Sequence, residues 1–188
     1  MSNLIGRVQN ILLTPKTEWA VIAAEPETIS GLYKNYVFIL AAIVPVATFL
    51  GAYFFLGLFG FAMGPAFVGL VVQYVLTLGG VFLFALVING LASAFGGQRD
   101  QMQALKLAAY ALTPIFLSGI GQLVPLLWRL IAIAGLANFI YLLYLGLPHT
   151  MKTAPGKTMA YTAVAVVVAL VIGSISTAIT FRAMGRAF

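Results

Sequence analysis

The stretch Ala108–Gly119, AAYALTPIFLSG, decides how the chain is read. It is apolar enough to lie inside a bilayer, yet the pair Thr113-Pro114 interrupts it near its middle. A proline inside a helix removes one backbone hydrogen bond and clashes with the carbonyl four residues back. In hydrocarbon, a freed carbonyl is tolerated only where neighbouring helices, side chains or water satisfy it. The stretch therefore predicts a kinked span with partners at its bend, not a lone helix in lipid.

The rest of the sequence agrees with a membrane setting. Of 188 residues, 62% are hydrophobic and 7% charged, whereas soluble domains carry roughly 25% charged residues. No Cys is present and His149 is the single histidine, so disulfides and a zinc site are excluded and no metal or other cofactor is expected. The first 35 residues contain Arg7, Lys16, Glu18, Glu25, Glu27 and Lys34 without an uninterrupted apolar core; no secretory signal is expected there, and the mature chain is expected to begin near Met1. The net charge of +6 does not imply nucleic acid, because the basic residues are scattered singly between apolar runs.

Crossing the hydrocarbon core takes about 20 apolar residues at ~1.5 Å per residue. Five runs qualify: Tyr36–Leu58, Pro65–Phe95, Ala104–Gly121, Pro125–Leu147 and Met159–Phe181. Pro65 and Pro125 suit the first turn of a helix, where the missing N–H has no helical partner to lose. The expected fold is all-α: an integral membrane bundle of five transmembrane helices in one domain (36–188), preceded by a cytoplasmic amphipathic segment (1–35). Short loops rich in Lys and Arg stay cytoplasmic. Arg7, Lys16, Lys34, Arg99, Lys106, Lys152 and Lys157 fall on one side, against Arg129, Arg182 and Arg186 on the other. This tally predicts a cytoplasmic N-terminus and a C-terminus outside.

In the N-terminal segment, Leu4, Ile5, Val8, Ile11 and Leu12 share one helical face, and Asn3, Arg7, Gln9 and Asn10 the other. A second short helix follows from Thr14-Pro15 and carries Trp19 and Ile22. Two readings stand. The pair wedges into the leaflet, with Arg7 and Lys16 on anionic lipid and Trp19 at headgroup level; or it packs under the bundle as a lid.

Proton relays and ion sites within a bilayer are built from ionisable side chains, and none is expected inside the spans. Arg129, near a span end, is read as snorkelling outward, and His149 as interfacial. Every span nonetheless has a weak point near its centre: Pro45, Gly79-Gly80, Thr113-Pro114, Gly135 with Asn138, and Gly173. Either Pro45, Tyr110, Thr113, Pro114 and Asn138 build a midplane site of the broken-helix kind, or they mark close helix packing. Ala165, Ala169, Gly173 and Thr177, four residues apart, form a small-residue stripe suited to a neighbouring helix in the bundle or in a second copy.

The segments EWAVIAAEPETIS (Glu18–Ser30), AAIVPV (Ala41–Val46), AAYALTPIFLSG, LVPLLW (Leu123–Trp128) and YLLYLGLP (Tyr141–Pro148) together resemble bacterial members of the Yip family, the Ypt/Rab-interacting membrane proteins. Tyr110–Pro114 and Leu145–Pro148 are its most specific parts, and a Yip-type domain over about 19–182 is implied. The resemblance implies five spans, a cytoplasmic N-terminus and no enzyme activity. Eukaryotic relatives act in vesicle trafficking through Rab GTPases and carry an Asp-Leu-Tyr-Gly-Pro motif. That motif does not occur here, where only GLYKNY (Gly31–Tyr36) stands near the expected place, so Rab binding is not carried over. The expected role is to organise the inner membrane through lipid, anionic lipid included, a second copy of the chain or another membrane protein. The alternative is a passive permease or channel for a small solute.

Overall fold

A computed structural model describes residues 3–56, 63–124 and 126–186. Two short helices, Leu4–Leu13 and Pro15–Ala24, precede five long ones. The first begins at Asn3, whose side chain accepts from the Ile5 amide, and the second has Pro15 in its first turn. The five spans are Ile29–Phe54, Met63–Phe95, Gln101–Leu123, Trp128–Thr150 and Thr158–Gly185. At ~1.5 Å per residue each covers a ~30 Å hydrocarbon core.

The span boundaries move where local capping outweighs hydropathy. The first span starts at Ile29, before the expected Tyr36, because the Thr28 hydroxyl accepts from the Gly31 amide and caps it there. The third begins at Gln101, where the Asp100 carboxylate accepts from the Met102 and Gln103 amides. The expected starts and ends at Pro125 and Leu58 lie outside the described residues. The fourth span runs through Pro148 to Thr150, past the expected end at Leu147.

The third span occupies the centre. Of its most apolar stretch 72% is buried by protein, against 6% for the fifth span. It is also the least apolar of the five, as a helix shielded from lipid can be. The fifth span packs mainly along the second, and the fourth lies against both pieces of the third.

Both proline spans bend. Helix stops at Ala42 and resumes at Ile43 before Pro45, and stops at Leu112 and resumes at Thr113 before Pro114. The two bends nest: a Cβ on Gly119 would lie 2.8 Å from the Val44 Cα, and one on Gly51 3.1 Å from the Gln122 carbonyl oxygen. On its other side the third span meets the fourth, where a Cβ on Gly135 would lie 3.0 Å from the Pro114 carbonyl oxygen. Pro114 and Thr113 are buried. The kink in AAYALTPIFLSG is filled by protein backbone on two sides.

Candidate functional site: an ionic joint under the third span

The end of the third span nearest the two short helices is a helix in which Ala104 to Ala111 are all buried. Spacing of four places Lys106 and Tyr110 on one face. The Lys106 ammonium donates to the backbone carbonyls of Ile22 at 2.8 Å and of Glu25 at 2.5 Å. These carbonyls belong to the last turn and C-cap of the second short helix, groups that have no helical partner of their own. Lys106 therefore caps that helix from another element. The Gln103 amide adds a bond to the Ala23 carbonyl at 3.0 Å.

Arg7 of the first short helix closes the joint. Its guanidinium pairs with Glu18 and with Glu25, and both Arg7 and Glu18 are buried. Burial alone would lower the Arg7 pKa, but the Glu25 hydrogen bond and the charges of both carboxylates raise it above its usual value, so the cation is held. Arg7 alone pairs with both carboxylates, and Lys106 is held by carbonyl oxygens. Arg7 also lies 5.8 Å from the centre of the Tyr110 ring, a cation–π distance. Tyr110 stands 4.6 Å from Tyr36 and 6.5 Å edge-on from Trp19. The Tyr36 hydroxyl shares a 2.7 Å hydrogen bond with the Thr113 hydroxyl. A chain of contacts thus runs from Glu25 through Arg7, Tyr110 and Tyr36 to the Thr113-Pro114 bend. Beside it lies a cavity of about 180 Å³ bordered by Arg7, Glu25, Glu27, Asn35, Tyr36 and Tyr110.

Trp19 fits because of a glycine: a Cβ on Gly146 of the fourth span would lie 2.8 Å from the indole. The ring is shielded from lipid by the protein, since Trp19 is fully buried.

A Yip1 domain model matches residues 10–177. The chain belongs to the Yip1 domain family. As a Yip1-domain chain it is 28% identical to inner membrane protein YohC of Escherichia coli K12, and equally so to YohC of strain CFT073, over 98% of each chain. No solved structure matches it. With five apolar helices of spanning length, it is a multi-pass protein of the bacterial inner membrane.

Several expectations are corrected in this Yip1-domain chain. Of the two readings of the N-terminal pair, the wedge does not hold for Arg7 and Trp19, which are buried under the bundle as in the lid reading; Lys16 alone of that trio is exposed. The polar side of the first helix points inward at Arg7 because Glu18 and Glu25 receive it, while Ile5 and Leu13 are left outward. Lys106 is not a loop residue and sits buried inside the third-span helix, contrary to spans free of ionisable groups. The lid of two short helices makes that burial tolerable by supplying carbonyl acceptors.

The stripe divides. Ala165 is buried and Ala169 half-buried, but Gly173 and Thr177 are exposed, and a Cβ on Gly173 would meet nothing within 4 Å, because the fifth span follows the second there and leaves the fourth. Of the five midplane candidates, Tyr110, Thr113 and Pro114 are brought together. Asn138 has a buried Oδ1 with no hydrogen-bond partner. Pro45 borders a separate cavity of about 280 Å³ with Gln73, Gln122 and Thr180. Glu18, Glu25, Lys106 and Tyr36 were not singled out from sequence. A signal existed: Glu18 and Glu25 are seven apart, on one helical face, and Lys106 interrupts an apolar run.

Proposed function

We propose that this Yip1-domain protein is a non-catalytic organiser of the inner membrane, in which the two short helices form a fixed cap that engages anionic lipid and a second copy or another membrane protein. The carrying observation is the Arg7–Glu18–Glu25 joint with Lys106, which ties the cap to the central span. A tied cap presents Ile5, Leu13 and Lys16 on its free surface, an apolar and basic combination suited to a leaflet with anionic lipid. The cap lies in the cytoplasm. With Arg7 and Lys106 consumed in the joint, exposed Lys16, Lys34, Arg99, Lys152 and Lys157 still outnumber Arg129, Arg182 and Arg186 of the opposite end.

Because the chain has no cysteine, a fluorophore on Leu13→Cys tests the reading in reconstituted vesicles. Its emission is expected to shift to the blue as phosphatidylglycerol is added, and a fluorophore on Lys152→Cys is not. Emission at Leu13→Cys that ignores lipid charge would contradict the reading. A solute-conducting role is the second reading, and it rests on the cavity at Pro45, with Gln73, Gln122 and Thr180 on its walls. Solute flux abolished by Pro45→Leu in a folded protein would promote it.

A further inference from the structure

Where the fifth span departs from the fourth, a lateral groove of about 660 Å³ opens. Leu112, Ile115 and Phe139 form one wall, and Ala169, Gly173 and Phe181 the other. Its wall on the fifth span, from Ala169 to Phe181, covers twelve residue-to-residue steps, or about 18 Å of helix. One leaflet of a ~30 Å hydrocarbon core is about 15 Å deep, so the groove has the length of a single acyl chain in one leaflet.

The end of the bundle just beyond this groove is cationic. Phe181 is followed by Arg182 and, one turn on, by Arg186. The fourth and fifth spans are joined by a short loop and run antiparallel. Arg129 lies 21 residues before the end of the fourth span, and Arg182 lies 24 after the start of the fifth. Those positions are about 31 and 36 Å from the loop side, which is the same end of the bundle. All three arginines are exposed. The four acidic residues of the chain, Glu18, Glu25, Glu27 and Asp100, belong to the other end, where they pair, border the cap or start the third span.

We infer that this groove is a binding site for an anionic phospholipid, with one acyl chain between the third, fourth and fifth spans and the phosphate against Arg129 and Arg182. Charge decides between lipid and a second copy. Two copies inserted in the same direction would bring their arginine-bearing ends together at one membrane depth, with no Asp or Glu side chain to answer them, and like charges across an interface are costly. An anionic headgroup supplies what the rim lacks, and the apolar walls accept its tail.

The test is native mass spectrometry of purified full-length protein in neutral detergent, titrated with phosphatidylglycerol or phosphatidylcholine. Three proteins are compared: wild type, Gly173→Leu, which fills the groove where a side chain meets nothing, and Arg129→Gln/Arg182→Gln, which alters exposed groups only. The wild type is expected to take up phosphatidylglycerol saturably. Loss of two charges is expected to weaken it about thirty-fold, and Gly173→Leu to abolish the bound lipid without changing thermal stability. Equal uptake of both lipids, or phosphatidylglycerol uptake unaffected by either variant, overturns the inference. So does a Gly173→Leu protein that keeps its lipid and falls from dimer to monomer, for then a second copy fills the groove.

Discussion

The two ends of the bundle treat charge in opposite ways, and two of its glycines differ as sharply. At the cap end, Arg7 and Lys106 are buried and partnered by Glu18, Glu25 and two carbonyls. At the other end Arg129, Arg182 and Arg186 are exposed. Gly146 at the cap end has the Trp19 indole in the space a side chain would take, and Gly173 has nothing within 4 Å. Hydropathy treats these positions alike. What separates them is whether another part of the same chain arrives to fill the gap. The filled site at the cap end is a joint that fixes shape, and the open space beside Gly173 is left for the membrane.

The largest effects should therefore come from the filled end. Trp19→Ala empties a fully buried site and is expected to cost about 3–5 kcal/mol of stability, read by thermal unfolding in detergent. Gly146→Leu should be comparably severe, since its Cβ alone would lie 2.5 Å from Leu107. A stable Gly146→Leu protein would break the comparison at once.

Next is the joint. Arg7→Ala leaves Glu18 buried without its cation, and breaking such a pair typically costs about 3 kcal/mol or more, less the share contributed by the half-exposed Glu25. Arg7→Met/Glu18→Leu should recover most of the loss, because an apolar pair of similar volume needs no desolvation. A double variant no better than the single one would show that packing, not charge, holds the cap.

Pro114→Ala is expected to cost about 1–2 kcal/mol, since the neighbouring helices are shaped to the bend at Gly119 and Gly135. Equal or greater stability without Pro114 would mean that the bend is imposed by those neighbours alone. The smallest effect belongs to Gly173→Leu, with no measurable loss of stability. Together with Gly146→Leu it makes one substitution tested at both glycines.

Much of this was readable in the sequence, for a physical reason. Span number follows from apolar run length, and the bends at Pro45 and Pro114 follow from a local rule about proline. Filling of the Pro114 bend was left open, because the Val44 and Pro114 backbones that come close to Gly119 and Gly135 are far away in sequence. The inward placement of Arg7 is hidden for the same reason. An amphipathic pattern says that two faces exist, and it assigned Arg7 to the wet one. Its partners Glu18 and Glu25 lie 11 and 18 residues on, and only folding brings them there. Lys106 looked like a loop cation because its acceptors, the carbonyls of Ile22 and Glu25, are more than eighty residues away.

The most direct test of the tied cap uses the absence of cysteine. Ala23→Cys and Gln103→Cys are introduced together in membranes and treated with a short thiol-reactive bifunctional reagent, since the Gln103 side chain reaches the Ala23 carbonyl at 3.0 Å. Gly80→Cys with Ile172→Cys, in contact between the second and fifth spans, serves as the positive control. Both pairs should cross-link within one chain, and Arg7→Ala should reduce only the first. Cross-linking of the control pair with none between positions 23 and 103 would contradict the joint and leave the short helices in lipid.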